Sequence, residues 1–218
     1  IGYVARHLPR PTLEDGCEAL RAAANEYSRK GITIVHDPLA GGFPHHFEVM
    51  QKVTAEPDFP LRIVAFPAER FAAGMRVTSG FGDDRLRLGP VKLFADGSIQ
   101  YYTGALSEPY HKPPSEGTLE NFRTIDAEDL AARVLAVHQR GSQIAIHANG
   151  DAGIDAALDA IDGALQKLPR QDHRHRLEHC QAIRDDQLDR MASLGINASI
   201  FVNHVRYYGD VHHDFTLG

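Results

Sequence analysis

Hydrophobic residues recur along this chain with two periods, and the two periods alternate. Ala19, Leu20, Ala23, Ala24 and Tyr27 keep the i, i+3, i+4 spacing of one helix face, and Gly31 stands where helices commonly end. That spacing predicts a helix from Leu13 to Lys30. Ile32-Thr33-Ile34-Val35-His36 is a β-branched run closed by Asp37-Pro38 and Gly41-Gly42, and it reads as a buried strand. A helix is expected from His46 to Ala55 and a second strand from Leu61 to Phe66. The third strand, Val91 to Ala95, is entered through Gly89-Pro90 and left through Asp96-Gly97. Asp126 reads as the N-cap of a helix reaching Arg140, with Asp129 at the capping-box position. A fourth strand (Gln143 to His147), a helix (Asp151 to Lys167) and a fifth strand (His175 to His179) follow. A helix from Arg184 to Leu194, capped by Gly195, and a sixth strand from Ile196 to Val202 complete the pattern.

Strands alternating with helices are the signature of βαβ units and a parallel sheet. Six such strands make about three quarters of a (β/α)8 barrel. The expected fold is therefore α/β, an incomplete TIM barrel occupying residues 1–218 as one domain. A doubly wound open sheet would alternate in the same way, but no Gly-x-Gly-x-x-Gly turn follows the first strand. The connection from Ser98 to Thr124, with Pro109, Pro113, Pro114 and Gly117, is longer than compact domains usually carry without a site to serve. Tyr101, Tyr102 and Tyr110 within it are candidate walls of a substrate pocket.

Composition narrows the classes of partner. Hydrophobic residues at 43% and charged residues at 24% describe a globular chain rather than a disordered one. A net charge of -6, with no block of Lys and Arg, argues against a nucleic-acid or anionic-membrane partner. No apolar run approaches the roughly 20 residues of a membrane span. Cys17 and Cys180 lie far apart and form no disulfide framework, so a reducing, cytoplasmic setting is expected. The sequence opens at Ile1-Gly2-Tyr3 without Met, and its natural N-terminus is expected to lie upstream. A small-molecule substrate and a homo-oligomer are the expected partners. The 13 histidines exceed ordinary usage, and imidazole is the commonest metal ligand.

In a barrel, chemistry gathers at the C-terminal ends of the strands. Three strand ends here carry Lys92, His147 and His179. One histidine closing a strand is usually a satisfied core or loop residue. Two on consecutive strands are less ordinary, and a lysine inside an apolar strand is rare because burying an ammonium is costly. Such a lysine has a lowered pKa, is paired, or is chemically modified.

Gly31-Ile32-Thr33 through His36-Asp37, Val91-Lys92 through Asp96-Gly97-Ser98, and Glu108-Pro109-Tyr110 carry a resemblance, together with Ile146-His147-Ala148 through Gly150-Asp151 and Arg176-Leu177-Glu178-His179-Cys180-Gln181. The chain resembles the amidohydrolase superfamily, and within it the amidohydrolase-3 branch that includes N-substituted formamide deformylases. The resemblance implies a metal-dependent hydrolase barrel, of which about strands two to seven are present. It also implies one or two divalent metals, zinc first, with iron or manganese also fitting the donor set. Lys92 would be a carboxylated lysine bridging two metals, and His147 and His179 would hold the second metal. The family's His-x-His of the first strand and Asp of the eighth have no counterpart in this sequence. His173-x-His175 has the first spacing but reads as a loop and strand entry unrelated to metal.

Asp96, Tyr101 and His204 are the candidate substrate contacts; Asp96 also has a plain turn reading before Gly97. Asp151 reads as a helix cap, and His36 as a packing residue. Glu178 is expected to pair with an arginine behind the sheet, and His212-His213 to be solvated. Cys180 has no evident base and is not read as a nucleophile. The function expected is hydrolysis of carbon–nitrogen bonds other than peptide bonds, such as amides or N-formyl groups. The catalytic set would be Lys92, His147 and His179. The alternatives are a catalytically incomplete chain that binds a small molecule, and a Schiff-base lyase or isomerase using Lys92.

Overall fold

The computed structural model describes His7, residues 11–113 and residues 126–218. Pro114, Gly117 and Thr124 of the long connection lie outside these residues. Two compact units emerge, residues 1–89 and 90–218, and each is built around its own parallel sheet.

The first unit opens with α1 (Leu13–Arg29), capped by reciprocal bonds between Thr12 and Asp15. It continues through β1 (Ile34–Ala40), α2 (His46–Thr54), β2 (Arg62–Pro67), the single turn α3 (Glu69–Ala72) and β3 (Leu86–Leu88). The sheet order is β1-β2-β3, all parallel. Cys17, Ala24, Met50, Val53, Leu61, Ile63 and Ala65 form its core. β1 starts later than its β-branched run suggested and continues past Asp37-Pro38. The register with β2 slips between Asp37 and Ala40, so Pro38 falls where the ladder asks for no N–H. α3 and β3 were not expected, because three or four residues are too few to display a period.

The second unit contains β4 (Val91–Phe94), α4 (Ala127–Gln139), β5 (Ile144–Ala148), α5 (Asp151–Lys167), β6 (Arg176–His179), α6 (Asp185–Leu194), β7 (Asn197–Ile200) and α7 (Asn203–Val211). Its sheet runs β4-β5-β6-β7, again all parallel. Leu93, Ile146 and Leu177 share one register row, and all three are inaccessible to solvent. With Leu130, Val134, Ile154, Leu158 and Ile161 from α4 and α5 they make the unit's core. The opposite face of the same strands carries Lys92, Phe94, His147 and Glu178.

Three expectations are corrected here. β7 ends at Ile200, short of the expected Val202, and His204 lies in the first turn of α7. His204, Tyr208 and His212 are spaced i, i+4, i+8 and stack along one helix edge, with ring centroids 6.2 and 6.1 Å apart. His212 is buried within a π-helical turn (His212–Thr216) instead of being solvated, whereas His213 is exposed. Asp126 caps α4 through the Glu128 N–H, not through a box with Asp129. No helix among the described residues is long and apolar enough to cross a membrane.

Candidate metal centre

The parallel register brings the candidate residues together from below. Lys92 pairs with Ala145 and Phe94 with His147 across β4 and β5, while His147 pairs with Glu178 and Ala148 with His179 across β5 and β6. Strand alternation alone would turn His179 away from His147, because it is one residue beyond Glu178. The backbone overrides this. His179 and Cys180 both adopt left-handed φ values, 76° and 51°, a conformation that non-glycine residues hold only when their surroundings fix it. The Cys180 N–H bonded to Ala148 O and the Ala182 N–H bonded to Asn149 O supply that fixing. The kink leaves the His147 and His179 rings edge to face, with centroids 4.6 Å apart.

Each imidazole is neutral near pH 7. Burial, with the Gly97 carbonyl opposing it, pushes His147 down to about 4. Burial, then His147, Lys92 and His204, push His179 down to about 3. His147 Nε2 lies 2.7 Å from Gly97 O, an atom that can only accept, and 2.9 Å from Asn149 Nδ2; a proton on Nε2 directed at the carbonyl satisfies the shorter contact and leaves the lone pair on Nδ1. Asn149 Nδ2 donates to the same carbonyl at 2.6 Å and fixes its direction. The ring nitrogens of His179 have no hydrogen-bond partner among the described residues.

Lys92 is 4% exposed, with its Nζ 5.0 Å from the centre of the Phe94 ring. Burial is the main reason its pKa falls to about 8; Glu178 pulls it up and Arg176 down. The amine meets no hydrogen-bond acceptor among the described residues. Glu178 pairs with Arg176 at 2.6 Å, as expected, but it shares the face of Lys92 and is not behind the sheet.

Asp96 is buried, with Oδ1 accepting from Asn149 N at 2.9 Å and Oδ2 from Gly150 N at 2.7 Å and Ala105 N at 3.1 Å. Burial nevertheless outweighs these bonds and raises it to about 6. Its carboxylate thus ties the turn after β5 to the loop after β4, 3.6 Å from His147 Nε2. Tyr101 is 78% exposed at the tip of a short 3-10 turn, Ile99–Tyr101. His204 lies 5.9 Å from His179, centroid to centroid, with Phe201 against it at 4.6 Å. Asp151 is the first residue of α5 and does not cap it; its carboxylate holds Ser107 and the Arg184 guanidinium. In the first unit, His36 packs on Phe66 with centroids 5.1 Å apart. His173 and His175 are bonded elsewhere, as their loop reading anticipated. Asn149 and Gln181 received no role from the sequence; Gln181 Nε2 contacts His212 at 2.8 Å.

Residues 2–217 match the profile of the Amidohydrolase family. A putative amidohydrolase, YtcJ of Bacillus subtilis (strain 168), is 27% identical over 183 residues, covering 82% of this chain and 33% of that protein. The N-substituted formamide deformylase of Arthrobacter pascens is 31% identical over 112 residues, 51% of this chain and 20% of that protein. The chain therefore spans about a third or less of these relatives. Among solved structures, an uncharacterized metal-dependent hydrolase from Pyrococcus furiosus superposes with a TM-score of 0.75 at 24% identity. That match covers 93% of this chain and 41% of the hydrolase, and gives the chain the α/β fold of that barrel class.

Proposed function

The chain belongs to the amidohydrolase family, and on that premise we propose that it carries part of the active site of a metal-dependent hydrolase of non-peptide carbon–nitrogen bonds, such as amides or N-formyl groups. One observation carries the reading. Lys92, His147 and His179 converge from three adjacent parallel strands, and both imidazoles are neutral with a ring nitrogen free to donate.

The donor chemistry suits a divalent ion. Among the described residues, no group of three or more His, Cys, Asp and Glu is arranged to hold a metal. Among the described residues Lys92 is the further group that could complete the set, and an ammonium is no ligand. A neutral amine is different: its lone pair attacks CO2, one N–H proton leaves to solvent, and an N–COO⁻ group results that offers two oxygens. A pKa near 8 keeps a tangible fraction of Lys92 in the reactive amine form at neutral pH. Two imidazoles and a carboxylate-like oxygen favour zinc. The ion, when bound, would lower the pKa of water and polarise a carbonyl.

The chain's own groups then have distinct tasks. His147 Nδ1 and His179 present lone pairs, and the Gly97 carbonyl keeps His147 in the tautomer that does so. Asp96 positions the loop that bears Tyr101, and Tyr101 and His204 form the substrate side. Zinc titration of metal-free protein in bicarbonate buffer tests this. One or two bound zinc ions, lost on His147→Ala or His179→Ala and weakened on Lys92→Ala, support the reading; no binding would remove it. The buried amine also suits a Schiff base. Reductive trapping of a carbonyl compound on Lys92 by borohydride would favour that second reading.

A further inference from the structure

Three histidines stand at the opposite end of β5 and β6 from the candidate metal centre, and each is used in the same way. His138 Nε2 donates to Leu168 O at 2.7 Å. Its Nδ1 therefore accepts from His175 Nε2, 2.9 Å away. His175 Nδ1 accepts from the Ile144 N–H at 3.1 Å. His173 Nε2 donates to Leu194 O at 2.8 Å, and its Nδ1 accepts from the His175 N–H at 3.0 Å. Amide N–H groups and carbonyls at the chain's ends fix every proton. Each ring is a neutral Nε2–H tautomer with its lone pair already used, so an added proton must face an N–H donor.

Among the described residues no carboxylate bonds to any of the three rings. His175 is inaccessible and His138 is 1% exposed. α4 contributes His138, and β5 the Ile144 N–H. The loop before β6 contributes Arg170, whose Nη2 donates to Ser142 O and His173 O, and the Asp172–Arg174 pair closed at 2.8 Å. α6 contributes the Leu194 carbonyl. Asp172, engaged with Arg174, is the sole carboxylate among these. Burial, then His173, Arg170 and His138, hold His175 down to about 2. Protons can nevertheless arrive, because His173 lines an open cavity of about 610 Å³ together with Arg170, Asp172 and Asn197. Asp172 and Arg174, both left-handed at φ 49° and 53°, flank it on strained backbone.

We propose that His138, His173 and His175 form an acid-sensitive lock, which opens on proton uptake and frees the bases of the strands that carry His147 and His179. The link is short: Ile144 and His147 share β5, and His175 immediately precedes β6. The lock does not depend on a bound metal, so it stands or falls apart from the hydrolase reading.

Amide exchange and imidazole ¹⁵N shifts, followed from pH 7.5 to 4.5 on the metal-free protein, test it. All three rings should remain neutral Nε2–H tautomers while the lock is closed. Protection factors of the Ile144 and His175 amides should fall as pH drops below about 6, approaching tenfold per pH unit for each proton the opening takes up. His175→Gln keeps both an acceptor and a donor but cannot titrate, and should make that dependence shallower by one proton. Histidines that titrate near 6.5 while Ile144 stays protected would overturn the proposal, as would an unchanged slope in His175→Gln. Should that variant not fold, the wild-type titration decides alone.

Discussion

Gly153 and Gly163 lie in the same helix, α5, and alanine should act in opposite directions at the two positions. Each exchange gains helix propensity, about 0.8–1.0 kcal/mol for Gly→Ala in a helix interior. At Gly163 the new methyl meets nothing within 4 Å, so most of that gain should appear as stability. At Gly153 the new Cβ would stand 2.7 Å from Asp96 Oδ2, 2.9 Å from its Cγ and 3.1 Å from its Cβ. The carboxylate has no room to retreat, because its oxygens hold the N–H groups of Ala105, Asn149 and Gly150. Overpacking costs typically 1–3 kcal/mol, and a hydrogen bond to a charged group lost with it about 1.5–3 kcal/mol more. Set against the propensity gain, Gly153→Ala should destabilise by about 1.5–5 kcal/mol. In a chain of this size 1 kcal/mol moves Tm by roughly 2–4 °C. Gly163→Ala should thus melt about 2–4 °C higher than the parent, and Gly153→Ala at least about 3 °C lower. Thermal melts of the two variants side by side measure this. Equal stabilisation by both would refute the placement of Asp96 beneath α5, and with it the account of how the loop bearing Tyr101 is held.

Other consequences concern the centre, the core and acid. Asn149→Ala removes the second donor on the Gly97 carbonyl that orients His147, and zinc affinity measured by competition with a chelator should fall about 10–100-fold, as outer-shell losses do. Leu177→Ala, at a fully inaccessible position in β6, should cost about 2–5 kcal/mol in urea unfolding. His175 is held by burial at about 2 in the folded protein, against about 6.5 unfolded. Its stabilising contribution is therefore intact above pH 6.5 and declines as pH falls, because the unfolded chain then binds a proton that the folded one refuses. Urea unfolding between pH 6.5 and 4.5 should show stability dropping by up to about 1.4 kcal/mol per pH unit from this group; a rise would contradict the assignment.

Much of the second unit was legible because its elements are long enough to show their period. α5 was read to the residue, Lys92 and His147 stood out as polar groups on otherwise apolar strands, and His179 as a second histidine closing the next strand. What position in a strand cannot convey is where the backbone turns afterwards. The left-handed pair His179-Cys180 swings His179 toward His147, and nothing in Arg-Leu-Glu-His announces it. Asp96 shares the i+2 parity of Lys92, yet its carboxylate is spent on amides that only the tertiary fold brings near. Other features were available and passed over. His204, Tyr208 and His212 keep helical spacing, and His138 continues the buried i, i+4 series of Leu130 and Val134. β3 was beyond reach, since a three-residue strand is made by its neighbours' hydrogen bonds rather than by its own pattern.

On the proposed reading, Lys92, His147 and His179 hold one divalent ion between them. X-ray absorption at the zinc edge, on protein loaded with zinc in bicarbonate, reads that directly. The expected shell contains two imidazole nitrogens and oxygen at about 2.0–2.2 Å, with one imidazole lost in His147→Ala and in His179→Ala and an oxygen lost in Lys92→Ala. A zinc shell without imidazole, or one unchanged by all three substitutions, would contradict it.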